Sequence, residues 1–146
     1  MENGTQMSDQ ASLEVVLSVY EAFRHGNIGA VLNHIDPHGD LNFEGPSTIP
    51  WAGQWRGREG WAKFFEAIGS SLDDITLTME PFAVQGDKVV AVGRYQGRVK
   101  LTGKRIDSPV VHLWTVRNGL VMRCQELTNT ALEAAACTAG GETPQA

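Results

Sequence analysis

Val110-Val111-His112-Leu113-Trp114-Thr115-Val116, then Arg117-Asn118-Gly119, then Leu120-Val121-Met122-Arg123-Cys124-Gln125-Glu126 is the stretch that decides how this chain folds. Two apolar, β-branched runs flank an Asn-Gly turn signal, so the segment reads as a β-hairpin. Each run carries one ionisable group, His112 and Glu126, where a core wants hydrocarbon. A buried ionisable group is costly unless it is paired or used. The two residues are therefore the first candidates for chemistry.

Which face they occupy depends on the turn. A two-residue loop at Asn118-Gly119 pairs Val116 with Val121 and His112 with Gln125. A three-residue loop with Gly119 in the left-handed region pairs Val116 with Leu120. The second choice puts Val110, His112, Trp114 and Val116 on one face with Leu120, Met122, Cys124 and Glu126. It separates apolar from polar better and is the expectation. Glu126 then lies diagonal to His112, at about 7–8 Å along the backbone.

Working outward, the upstream chain keeps the period of two. Ile75, Leu77 and Met79 alternate with threonines, and Pro81-Phe82 predicts a bend or bulge. Gln85-Gly86-Asp87 turns into a strand over 88–101, and Gly103 turns again into 105–116. Before residue 72 the period is helical: Leu13, Val16, Leu17, Tyr20 and Phe23 with Gly26 as stop, then Ile28, Val31, Leu32 and Ile35 ended by Pro37. Leu41 to Glu44 reads as a short strand. A Pro/Gly loop holding Trp51 and Trp55 follows, and a third helix from Gly57 carries Trp61, Phe64, Phe65 and Ile68. A last short helix is expected over 131–136. Helices first and a strand meander after them predict an α+β fold, a curved sheet over helices. The expected layout is a disordered terminus over 1–9, one domain over 10–136 and a disordered tail over 137–146.

At 146 residues the chain is one domain with a real core. With 17 Asp plus Glu against 12 Lys plus Arg and no basic patch, nucleic acid is not an expected partner. No apolar run approaches the roughly 20 residues that span a bilayer, so no membrane is expected either. Two cysteines, Cys124 and Cys137, and no Lys/Arg-led apolar leader point to a reducing cytoplasm. His34-Ile35-Asp36-Pro37-His38 imitates a metal cluster, but Pro37 breaks the register that would align the histidines, so no metal is expected. Arg94, Arg98, Lys100, Lys104 and Arg105 read as a solvated hairpin, with an anion-steering rim as the sharper alternative.

Tyr20-Glu21-Ala22-Phe23-Arg24-His25-Gly26-Asn27, Asp40-Leu41-Asn42-Phe43-Glu44 and Ala52-Gly53-Gln54-Trp55-Arg56-Gly57-Arg58-Glu59-Gly60 together resemble the SnoaL-like and ketosteroid-isomerase-like families of the nuclear-transport-factor-2-like superfamily. The resemblance covers residues 13–134 and implies a cone-shaped, curved antiparallel sheet wrapped around N-terminal helices. In ketosteroid isomerases an aspartate base works with a Tyr and a protonated Asp. Those positions fall here on Gly45, Val19 and His112, which disfavours steroid isomerisation. Limonene-epoxide-hydrolase relatives carry Arg and Asp where this chain has Gly93 and Tyr95, which disfavours epoxide hydrolysis. SnoaL-type polyketide cyclases fit better, with their acidic base on Glu126 and a pocket histidine on His112.

The resemblance therefore implies a small cofactor-independent cyclase or isomerase of polyketide-type biosynthesis acting on a hydrophobic substrate. Glu126 would take a proton from carbon beside a carbonyl, and His112 would donate to the enolate oxygen. Ring closure by enforced folding of the substrate is a variant of that reading. A non-catalytic ligand-binding module, or an epoxide-hydrolase-like enzyme, is the alternative. Tyr20, Phe43, Trp51, Trp55, Phe64, Tyr95, Trp114 and Met122 are the expected substrate-binding residues, and Gly93→Phe is expected to fill the pocket. Val111, Leu113, Val121 and Leu127 fall on the opposite face and predict a homodimer through the sheet.

Overall fold

The computed structural model describes residues 8–138, and the ends over 1–7 and 139–146, for which disorder is expected, lie outside them. The chain runs α1 (Asp9–Arg24), α2 (Ile28–Asn33), β1 (Ile35–Phe43), β2 (Gly53–Arg56), α3 (Gly57–Ser71), β3 (Leu72–Gln85), β4 (Lys88–Val99), β5 (Arg105–Arg117), β6 (Leu120–Thr128) and α4 (Thr130–Cys137). Both ends of the expected domain extend slightly. Ser8 caps α1 by accepting from Ala11 N at 3.1 Å, so the helix opens at Asp9. Cys137 closes α4 rather than beginning the tail.

The six strands form one curved, open sheet in the order β2-β1-β6-β5-β4-β3. Neighbours pair antiparallel except β1 and β6, which run parallel. Parallel neighbours need a long crossover, and everything from β2 to β5 lies between these two. Ile35 belongs to β1, opposite Val121, and not to the second helix, which ends two residues earlier. Pro37 follows closely enough to keep the backbone extended there.

The core lies between the helices and the concave face of the sheet. Val16 and Val19 of α1 and Trp61 and Phe64 of α3 are buried against it. Along β5 the alternation is strict: Ile106, Ser108, Val110, His112, Trp114 and Val116 are buried, while the residues between them face outward. Each aliphatic side chain fully buried in this way contributes about 1.5–3 kcal/mol. The start of α1 is pinned to the β3–β4 turn, where Ser12 Oγ donates to Gly86 O at 2.7 Å and Gly86 N donates to Asp9 Oδ1 at 2.6 Å. Pro81-Phe82 marks a register shift in β3, as its sequence predicts. Among the described residues no helix is long and apolar enough to cross a membrane.

Candidate active site

The hairpin that carries His112 and Glu126 turns through two residues, not the expected three. Asn118 and Gly119 both have positive φ, at 54° and 80°, and Arg117 pairs with Leu120. That is the loop Asn-Gly favours, because its twist matches the strands. Alone, it would set His112 opposite Gln125. Between Thr115 and Val116 the register shifts, leaving Met122 as the unmatched residue of a β-bulge. Beyond the bulge His112 stands directly opposite Glu126. The two residues do share the inward face, but through a turn and a bulge in combination. The two-residue turn, by pairing Val121 with Val116, turns Val121 into the core and takes Met122 off the cavity wall.

His112 Nε2 and Glu126 Oε2 are joined by a hydrogen bond, with side-chain exposures of only 4% and 13%. Tyr20, from α1, closes the arrangement from the other side. Its hydroxyl lies 2.7 Å from His112 Nδ1 and accepts from Trp114 Nε1 at 2.9 Å. An indole N–H can only donate, so the Tyr20 oxygen accepts it and turns its own O–H to His112 Nδ1. For the neutral imidazole this leaves the ring proton on Nε2, facing Glu126. Burial pushes the Tyr20 hydroxyl far above its usual range, so it stays protonated.

The inward faces of the strands and of α1 and α3 enclose a cavity of about 90 Å³. One water occupies roughly 10–15 Å³ measured that way, so this is a ligand-sized void and not a packing defect. Tyr20, Phe43, Trp51, Phe64, Tyr95 and Trp114 line it, as do His112 and Glu126. Trp61, Phe65, Ile75, Leu77 and Thr128 join them. Trp55 is not among the residues lining the cavity; from β2 it pairs with Leu41 of β1, packs on Phe64 and donates its Nε1–H to Trp51 O at 3.1 Å. Gly93 is no filling point either. A Cβ there would meet Thr78 O at 1.9 Å, so enlarging it would break the β3–β4 pairing. Gly45 sits against Ile49 and Ala52 in the loop after β1, away from the cavity wall.

A second acidic cluster, which no local pattern in the sequence singles out, lies at the α4 end of the sheet. Glu133 is fully buried and accepts from the hydroxyls of Tyr95 and Thr128, the latter at 2.5 Å. Burial raises its pKa, an effect that the two hydrogen bonds partly offset. Burial and the Glu133 carboxylate together push the Tyr95 hydroxyl strongly upward. Asn129 caps α4 by accepting from Leu132 N at 3.2 Å, which sets the helix so that Glu133 faces the sheet. The basic residues of β4 and its turn stay outside: Arg94 pairs with Asp107 at 2.6 Å, Arg98 with Asp73 at 2.6 Å, and Lys104 Nζ donates to Thr138 O at 3.1 Å. Among the described residues no Lys or Arg lines the cavity.

Comparison with known proteins places this architecture. The sequence profile of the SnoaL-like domain matches residues 16–124. None of the curated protein sequences matches the chain. Among solved structures, a nuclear-transport-factor-2-like protein from Burkholderia xenovorans superposes with a TM-score of 0.81 at 27% identity, covering 90% of this chain and 99% of that one. TerC, co-crystallised with polyporic acid, superposes with a TM-score of 0.78 at 24% identity, over 87% of this chain and 98% of its own. A protein from Jannaschia, provisionally assigned as a SnoaL-like polyketide cyclase, gives 0.77 at 20% identity over 91% and 95%. With a profile match over most of its length and the fold to accompany it, the chain belongs to the SnoaL-like domain family.

Proposed function

We propose that the protein is a cofactor-independent cyclase or isomerase of polyketide-type metabolism, acting on a hydrophobic substrate that carries a carbonyl group. The observation that carries this reading is Glu126, a carboxylate on the wall of an aromatic cavity with its Oε2 held by His112. Glu126 takes the proton from carbon beside the carbonyl, and the electron pair moves onto the carbonyl oxygen as an enolate. The enolate carbon attacks a second carbonyl of the same molecule, forming the ring bond. The Glu126 carboxylic acid then returns the proton to the new alkoxide. Every atom balances without an added reactant.

His112 serves this reaction differently from the sequence expectation. Both of its ring nitrogens are engaged, by Tyr20 and Glu126, so it orients the base and is not free to donate to the enolate. Family membership supports the reading. The co-crystallisation of TerC, a protein of the same fold, with polyporic acid is consistent with it. The outward face of β4, β5 and β6 carries half-buried Val90, Val92, Val111 and Leu113 with exposed Leu127 and forms the proposed homodimer surface.

One observation favours a second reading, a binding module without chemistry. Tyr20, His112, Glu126, Tyr95, Thr128 and Glu133 already satisfy one another. The two readings separate in heavy water with 2-tetralone as probe. A base at Glu126 makes the wild type accelerate deuterium uptake at the carbon beside the ketone, and Glu126→Gln removes that acceleration. Equal rates in the wild type and the variant, or a wild type no faster than buffer, would remove the catalytic reading in favour of binding.

A further inference from the structure

A base that generates an enolate needs a hydrogen-bond donor where the negative charge arrives. Since His112 is committed on both nitrogens, the donor must come from elsewhere on the cavity wall. The protein has four indoles, and three have partners. Trp55 Nε1 donates to Trp51 O at 3.1 Å, Trp61 Nε1 to Gly39 O at 3.2 Å and Trp114 Nε1 to Tyr20 Oη at 2.9 Å. The fourth, Trp51, is fully buried and lines the cavity, yet its Nε1–H has no partner. Among the described residues it is the buried side-chain polar atom left unsatisfied. Such groups are rare because leaving them unpaired is unfavourable.

The placement of Trp51 is built, not incidental. Ile49 N donates to Pro46 O and Ala52 N to Ile49 O, each at 3.0 Å, which folds the loop back over the cavity. The Trp51 carbonyl is held by Trp55, and its ring meets Phe43 edge-on with centroids 6.3 Å apart. Phe43 is the residue of β1 paired with Glu126 of β6. Trp51 and Glu126 thus neighbour the same residue and both line the cavity, Trp51 carrying an unpaired donor that lies covered at its wall and Glu126 a carboxyl group.

We infer that the Trp51 indole N–H is the group that receives the substrate's carbonyl oxygen, holding it beside Glu126 and accepting the enolate charge as it forms. The role rests on the reading of Glu126 as base, but it is measured without turnover. The probes are 1-indanone and indane, which share a skeleton and differ in one carbonyl oxygen. In proton–nitrogen correlation spectra of the full chain, 1-indanone is expected to move the Trp51 indole resonance downfield, and indane is not. The signal is assigned by Trp51→Phe and independently by elimination through Trp55→Phe, Trp61→Phe and Trp114→Phe, so the titration of the wild type remains decisive if Trp51→Phe fails to fold.

The wild type is also expected to bind 1-indanone about 2- to 10-fold more tightly than indane, the range one neutral hydrogen bond commands. Trp51→Phe should remove that preference while keeping the ring wall. An unchanged preference in Trp51→Phe, equal shifts with the two probes, or binding of neither would overturn the assignment. If the shift and preference are found while deuterium uptake ignores Glu126, Trp51 stands as a carbonyl-recognising residue and the base does not.

Discussion

Tyr20 and His112 are 92 residues apart in sequence, and their side chains meet at 2.7 Å inside the cavity. The tyrosine is a hinge of polarity: it accepts from Trp114 and donates to the imidazole, so its one hydroxyl sets which nitrogen of His112 faces Glu126. Tyr20→Phe removes that control and leaves Trp114 Nε1 and His112 Nδ1 buried without this partner. Unfolding in urea should show a loss of about 1–3 kcal/mol. Deuterium uptake by 2-tetralone should slow, whereas a core variant with a matched loss of stability keeps the wild-type rate. A Tyr20→Phe protein as stable as the wild type would mean water replaces the hydroxyl.

Glu133 predicts a pH dependence with a definite sign. Its folded-state pKa is raised above the ordinary 4.5 by burial. The folded state therefore holds the proton more tightly than the unfolded chain does, and its contribution to stability is complete below the ordinary value. That contribution is lost as pH rises through the raised one. Glu133→Gln has no such titration. The stability of the wild type minus that of Glu133→Gln should fall on going from about pH 4 to about pH 8, followed by urea unfolding at each pH. A difference that grows with pH would show that the Tyr95 and Thr128 hydroxyls stabilise the anion beyond its burial.

Two glycines should respond to alanine for opposite reasons. At Gly119, φ is 80° and an added Cβ meets open space, so the effect is conformational alone, about 1–2 kcal/mol. At Gly93 the Cβ would lie 1.9 Å from Thr78 O and 2.7 Å from Met79 Sδ. The β3 strand must move away, and the loss should reach about 3 kcal/mol. Thermal unfolding of the two variants in parallel ranks them; the reverse order would contradict the close approach of β3 and β4.

The outward apolar patch predicts assembly. Leu113 lies on β5 between Val90 of β4 and Gln125 of β6, at the middle of the patch. Light scattering should give a dimer for the wild type and a monomer for Leu113→Glu, with the fold retained. A wild-type monomer at micromolar concentration would remove the sheet face as an interface.

Much of the architecture was legible because it is written in local period and turn chemistry. The apolar spacing in α1 and α3, the alternation in β5 and the Pro81 bulge each depend on neighbours a few residues away. Most of the aromatic wall followed from the same periodicity. Trp55 and Met122 were misplaced for one reason: each sits beside an irregularity, a short edge strand or a bulge, where period stops predicting direction. The hairpin shows the limit well. Asn118-Gly119 dictates a two-residue turn, yet the face of Glu126 is decided three residues beyond it by Met122, whose bulge has no local signature.

By itself the sequence determined the α+β class, the strands that carry His112 and Glu126, and the aromatic character of what surrounds them, since hydrophobic burial selects these from composition and spacing. Only the tertiary structure decided what the polar groups do to one another. Tyr20 fixing the tautomer of His112, Glu133 reaching Tyr95 from the last helix, and Trp51 left with an unanswered donor all depend on contacts across many tens of residues. Hydrogen bonds are directional and short-ranged, so their partners are known only when distant segments have been brought within about 3 Å of each other.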